Sequence, residues 1–235
     1  MNDLPGRRTN ADLKTVVAID GPAGAGKSTV AKAVAHELGF AYLDTGAMYR
    51  AVTLKALEAG IDLDDREETS QCAGLLRLDM FEDEGGLTVL SDGRDVTEAI
   101  RTPEVTRKIY KLDQNPGVRN HMMRLQREFA SLRPTVAEGR DMGTVVFPEA
   151  QCKVYLDASL DERTRRRAAQ LAAKQVRVVD IDELRREIYE RDKRDRERLV
   201  APLRRAEDAV LVDTTDASIA EIVEHIVGLA RKVFF

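Results

Sequence analysis

Two hydrophobic periods alternate along this chain. Val16–Asp20 is an unbroken apolar run closed by a carboxylate, which predicts a buried strand. Residues 29–38 switch to the helical period, with Val30, Ala31, Val34, Ala35 and Leu38 on one stripe and Gly39 as the stop. Ala41–Asp44 predicts a second strand, and 47–59 a second helix ended by Gly60. The pattern then shortens. Residues 76–80 and 87–90 predict strands around the turn Glu84-Gly85-Gly86, a small antiparallel insert rather than more parallel sheet. Helical periodicity resumes at 103–112 and 117–132, and apolar strand signals follow at 134–138, 153–157 and 209–212. Two capping-box patterns, Ser159-Leu160-Asp161-Glu162 and Ser218-Ile219-Ala220-Glu221, open the late helices. The last helix places Ile219, Ile222, Val223, Ile226, Ala230 and Val233 on one face, suited to packing on a sheet. About five strands alternating with helices predict a three-layer α/β fold around a parallel sheet.

Composition narrows the partners. The chain has 235 residues with 43% hydrophobic content, enough for a sizeable core. Charged residues make up 33%, yet the net charge is −4, which argues against a general polyanion surface and so against a nucleic-acid partner. Residues 160–205 nonetheless carry 15 Lys/Arg against 10 Asp/Glu. A basic segment in an acidic protein suggests a local phosphate clamp set in an otherwise ion-paired helix face. Cys72 and Cys152 have no metal spacing, and His36, His121 and His225 are isolated, so a reduced, cytoplasmic setting is expected. Residues 1–14 are polar and lack the apolar stretch of a signal peptide, which suggests a flexible lead-in. No run has the length of a membrane span, so no membrane partner is expected.

The chemistry enters between the first strand and the first helix. Gly21-Pro22-Ala23-Gly24-Ala25-Gly26-Lys27-Ser28 fits the G-x-x-x-x-G-K-[ST] phosphate-loop pattern without substitution. Glycines let the backbone curl so that successive N–H groups form an anion nest, and the following helix aims its positive end at the same point. Gly21, Ala23, Gly24, Ala25, Gly26, Lys27, Ser28 and Thr29 are therefore the candidate ATP-binding residues. Lys27 can reach the β- and γ-phosphates, and the Ser28 hydroxyl can ligate Mg²⁺.

A phosphate loop is shared by kinases, GTPases and motors. The sequence holds no Asn-Lys-x-Asp and no Leu-Ser-Gly-Gly-Gln, so guanine-selective and ABC-type readings lack a basis. Three other segments could hold a second phosphorylated substrate. They are Leu43-Asp44-Thr45-Gly46-Ala47-Met48-Tyr49-Arg50, Glu138-Gly139-Arg140-Asp141-Met142-Gly143-Thr144, and the 191–198 run Arg-Asp-Lys-Arg-Asp-Arg-Glu-Arg. Arg191, Arg194 and Arg198 stand at i, i+3 and i+7, which would place all three on one helix face.

In that order, GPAGAGKS, LDTGAMYR, EGRDMGTVVFP, VYLDAS, ERDKRDRER and APL resemble the bacterial cytidylate (CMP/dCMP) kinase family, from about Val16 to the C-terminus. The resemblance implies a P-loop nucleoside-monophosphate-kinase fold with a core at 15–60, 133–159 and 206–235. It also implies an NMP-binding insert at 61–132 and a helical lid at 160–205. The implied reaction is ATP plus CMP or dCMP, giving ADP plus CDP or dCDP, run by a cytoplasmic monomer. A kinase for another monophosphate such as UMP or AMP is the alternative, and a P-loop switch a more distant one.

The same resemblance assigns roles. Arg50 and Arg140 would hold the CMP phosphate, with Thr45 beside them. Arg191 and Arg198 would close over the phosphates, and the Arg191–Asp195 pair would also approach the ribose. Lys27, Arg140, Arg191 and Arg198 form the candidate catalytic set, because guanidinium groups stay charged and bind phosphate oxygens through two N–H groups. Asp141 matches the carboxylate that accepts from cytosine N4–H₂, and would face an unfavourable O4 acceptor in uracil. Arg119 matches the arginine that donates to the ring. One departure stands out: Tyr110 falls where the family carries a small hydroxyl residue of the cytosine pocket. Glu138 or Asp44 could support Mg²⁺ through water. Asp157 reads as a strand-end residue, and Arg163, Arg166 and Arg167 as lid or adenine-side contacts.

Overall fold

The computed structural model describes residues 15–83, 86–173 and 180–235. The lead-in at 1–14 and the turn residues Glu84 and Gly85 lie outside the described residues, as does 174–179 within the proposed lid.

Three of the apolar runs, at 16–20, 134–138 and 153–157, become the centre of the sheet, whereas the run at 209–212 becomes an edge strand with Val210 and Leu211 exposed. β1 (Val16–Asp20) is buried along its whole length, as expected for a parallel strand covered on both faces. α1 (Lys27–Leu38) follows the phosphate loop, then β2 (Ala41–Asp44) and α2 (Thr45–Glu58). Later come β6 (Thr135–Gly139), β7 (Cys152–Asp157) and β8 (Val210–Asp213). These form a five-stranded parallel sheet in the order β2-β6-β1-β7-β8. β1 therefore lies in the middle, and the loops after β1 and β6 leave the sheet side by side, with Asp20 in register with Gly139.

Chain contacts divide into two compact units. The first comprises the described parts of Met1–Ala41, Arg127–Glu197 and Pro202–Phe235. Here α6 (Leu160–Ala173) packs against α7 (Ile181–Glu197), and α8 (Ile219–Phe234) against α1. The second unit is Tyr42–Gln126 with Arg198–Ala201. Within it, α2 packs against α3 (Arg66–Leu75) and α4 (Pro103–Asp113). The antiparallel β3 (Leu78–Asp83) and β4 (Gly86–Ser91) continue into a two-residue strand, β5 (Arg94–Asp95). α5 (Pro116–Leu132) runs from the second unit into the first.

Several expectations are corrected. α3 was not expected at all. It is mostly polar and buries only Thr69, Cys72 and Ala73, so it has no apolar stripe; the Asp65 carboxylate, accepting from the N–H groups of Glu67 and Glu68, starts it instead. The Ser218 capping box forms in both directions. At Ser159 only half forms. Glu162 N–H donates to Ser159 Oγ at 3.2 Å, but the Glu162 carboxylate is taken by Arg165 and Arg166, and Ser159 N–H donates to Thr215. In α8, Ile222, Val223, Ile226 and Ala230 are buried as expected and Val227 joins them, whereas Ile219 and Val233 at the ends are exposed. α7 ends at Glu197, so Arg198 follows the helix, and Arg194 falls on the exposed side. The buried positions of α7 are Leu184, Ile188, Asp192 and Asp195; Arg191 is half-buried, Arg194 exposed and Arg198, beyond the helix end, buried, so the three are not presented alike.

Candidate active site

The phosphate loop sits between β1 and α1 under tight steric limits. A Cβ on Gly21 would lie 2.1 Å from the Leu156 carbonyl oxygen of β7, so no larger residue fits there. Gly26, the N-cap of α1, takes φ 88°, a left-handed conformation that suits glycine. Ser28 and Thr29 lie exposed in the first turn of α1. The Ala23 peptide is clamped. Its N–H donates to Asp192 Oδ1 at 3.3 Å, and its carbonyl accepts from Arg163 Nη1 at 3.0 Å. Arg163 and Asp192 are themselves a buried ion pair. Arg163 is thus a prop of the phosphate loop. Arg166 holds Thr214, whose hydroxyl donates to the Ala25 carbonyl, so it supports the same loop one step removed. Arg167 Nη1 donates to Gln170 Oε1 at 3.4 Å within α6. Asp157 accepts from the N–H of Ala158 at 2.9 Å, in keeping with a strand-end role.

Lys27 is buried, and its Nζ donates to the Pro22 carbonyl at 2.7 Å. Burial, with the nearby Arg140 and Arg191 cations, lowers its pKa to about 7, although Glu138 and Asp195 pull the other way. A cation at such a point is poorly compensated, and an incoming polyanion would relieve it. Arg140, at the start of the turn after β6, is held by Asp195 of α7 at 2.8 Å. Burial opposes its charge, and Asp195, Glu138 and Asp192 more than restore it. Asp141 is buried beside it, and its backbone carbonyl accepts from Val145 and Val146 in a wide π-type turn over Met142–Val146. Lys27, Glu138, Arg140, Asp141, Arg191 and Asp195 therefore form one charged group within the first unit.

The second unit holds the other predicted contacts. Thr45 is the buried first residue of α2. Asp44 caps this helix by accepting from Ala47 N–H at 2.8 Å, and its other oxygen takes Arg50 Nη2 at 3.1 Å. Asp44 is thus committed to helix start and arginine alike. Arg50 Nε is buried with no hydrogen-bond partner among the described residues. Arg119 of α5 is buried, donates to the Asp113 carbonyl at 3.2 Å, and lies 5.9 Å from the Tyr49 ring centroid. Arg198 donates to the Ala201 carbonyl at 2.7 Å and pairs with Asp113 at 3.4 Å. Tyr110 lies one turn before Asp113 and is 36% exposed.

Three carboxylates escaped the sequence reading: Asp192, which braces the phosphate loop, Asp113, which pairs with Arg198, and Asp20. Asp20, the last residue of β1, accepts from the N–H groups of Met142 and Gly143, each at 2.8 Å. Burial raises its pKa to about 6; the two amides and Lys27 resist this, and Asp141 adds to it. The signal available was a lone carboxylate closing an apolar strand directly before the phosphate loop.

No helix among the described residues is long and apolar enough to cross a membrane. Cys72 and Cys152 are free, buried thiols. Among solved structures, the chain is similar to a gluconokinase from Sinorhizobium meliloti 1021 at 15% identity, with 94% of each chain covered and a TM-score of 0.47. Its likeness to curated proteins is much closer. It is 49% identical to a cytidylate kinase of Solibacter usitatus over 93% of both chains. It is 47% identical to one of Carboxydothermus hydrogenoformans, covering 92% of this chain and 97% of that one. It also matches a bifunctional pantoate ligase/cytidylate kinase of a Synechococcus strain at 49% identity, over 94% of this chain but 41% of that longer protein. The chain thus spans about two fifths of such bifunctional relatives. A family model described as cytidylate kinase matches residues 17–232, and the chain belongs to that family.

Proposed function

We propose that this chain transfers the γ-phosphoryl group of ATP to CMP and dCMP, giving CDP or dCDP and ADP. The observation that carries the reading is the buried Lys27, set at the phosphate loop in the field of Arg140, Arg191, Glu138 and Asp195. Donor-side and acceptor-side cations are thereby within electrostatic reach of one another. Phosphoryl transfer asks the protein mainly for positioning and positive charge. Lys27 and the loop N–H groups hold the β- and γ-phosphates, while Arg140, Arg191 and Arg198 meet the charge that spreads over the transferring group. Arg50 and Thr45 take the acceptor phosphate, and the unpartnered Arg50 Nε supports an anion there. Arg119 and Asp141 read the cytosine edge, and Arg191 with Asp195 approaches the ribose. Residues 61–132 act as the NMP-binding insert and 160–205 as the lid.

Mg²⁺ takes oxygen ligands, and the exposed Ser28 hydroxyl with the buried Glu138 carboxylate near Lys27 fits that donor set. Bound there, the ion supplies charge neutralisation on the β- and γ-phosphates. Asp44, already shared between Ala47 and Arg50, is the poorer candidate. Free buried thiols and the modest net charge suit a cytoplasmic monomer acting on free nucleotides. The test is ADP release from ATP with and without CMP. Strong stimulation by CMP and dCMP is expected; release indifferent to both would favour a nucleotide-dependent switch and defeat this reading.

A further inference from the structure

We propose that Asp20 is a positioning residue for the acceptor side of the site, fixing the Arg140–Gly143 turn against the phosphate-binding loop. The inference rests on the kinase reading above and adds a residue to it. Asp20 joins the two loops physically. Its backbone runs on into Gly21, which opens the phosphate loop, while its two carboxylate oxygens accept the N–H groups of Met142 and Gly143 at 2.8 Å each. Those amides directly follow Arg140 and Asp141, the residues assigned to the acceptor phosphate and the cytosine edge. The underlying strands are already in register, Asp20 opposite Gly139. One side chain therefore sets the distance between what holds the donor and what holds the acceptor.

The carboxylate is well chosen for this. It offers two acceptors to two converging donors, which an amide cannot match, because one amide terminus is itself a donor. It is held despite a cost: burial raises its pKa to about 6. The titratable groups around it are Lys27 of α1, Asp141 of the turn itself, and Lys153 and Tyr155 of the neighbouring β7. The stem of Lys153 packs where a Gly143 Cβ would point, 3.2 Å from its Cδ. In-line transfer is sensitive to small displacements, of which about 1 Å can cost on the order of a hundredfold.

The test is Asp20→Asn, with kcat and KM measured for CMP and for ATP. We expect kcat to fall about ten- to a hundredfold and KM for CMP to rise, with KM for ATP held within about twofold. A residue that serves only the fold would move both substrates together. Unchanged CMP parameters, or CMP and ATP affected alike, would overturn the inference. If Asp20→Asn does not fold, Gly143→Ala disturbs the same contact, because its Cβ would lie 3.2 Å from Lys153 Cδ and 3.5 Å from Asp20 Oδ2; the same split between CMP and ATP is expected of it, and no split overturns the inference. A readout independent of turnover is the amide proton shift of Met142 and Gly143 in the wild type. The two should move together as acidification protonates Asp20, whose pKa burial raises to about 6, and shifts that respond independently of one another would overturn the contact. A wild type that phosphorylates no CMP defeats the kinase reading and leaves this last measurement standing.

Discussion

At the scale of single residues, the site is a set of charges whose burial makes each one consequential. Lys27 rests on the Pro22 carbonyl inside a loop shaped by backbone geometry. Lys27→Ala should leave that geometry intact and remove the ammonium that meets the β- and γ-phosphates. Transfer should fall by at least about 10²–10³, with circular dichroism unchanged. Near-normal turnover would refute the role of the loop. Asp141 is the sharper case. Its carboxylate should accept from cytosine N4–H₂ and repel uracil O4, whereas Asp141→Asn can also donate. A base-edge contact of this kind is worth roughly 1–3 kcal/mol, about ten- to a hundredfold. The CMP-to-UMP ratio of kcat/KM should narrow by that factor; an unchanged ratio means Asp141 does not read the base. The phosphate loop was legible in the sequence because its geometry is encoded in eight adjacent residues. Asp20 was not, since its partners lie 122 and 123 positions away and are backbone amides, which carry no residue signature.

At the scale of elements, local chemistry succeeds where no rival partner intrudes. Both capping patterns have the same spacing, yet only Ser218 closes its box. Near Ser159 the arginines of α6 outbid the backbone for Glu162, whose pKa falls to about 2 through its hydrogen bond to Arg165, then that to Arg166. Ser218→Ala should cost about 1 kcal/mol and lower the unfolding midpoint by roughly 2–4 °C, measured by thermal denaturation. α7 shows the limit of spacing arguments. Its basic residues outnumber those with a role at the site, and burial selects the carboxylates Asp192 and Asp195 while leaving Arg194 in solvent. Arg191→Ala and Arg198→Ala should lower kcat more than they raise KM for CMP, because their charges matter most during transfer. Steady-state kinetics with unchanged kcat in both variants would assign these arginines to ion pairs alone.

At the scale of the whole molecule, alternation of strand and helix signals was enough for a parallel α/β fold, because the strands buried on both faces read as continuous apolar runs. Strand order was not legible: nothing in Val16–Asp20 or 134–138 says that they become neighbours, and it is that pairing which puts the phosphate loop beside Arg140 and Asp141. Family membership covers nearly the whole chain, and the charged group around Lys27 gives it a physical basis. What the fold leaves to be measured is the acceptor. The most direct measurement is a coupled ADP-release assay of this chain with ATP and each of CMP, dCMP, UMP and AMP, reporting kcat/KM. The account predicts that CMP and dCMP lead, with CMP about ten- to a hundredfold above UMP. A preference for UMP or AMP, or equal values for all four, would contradict it.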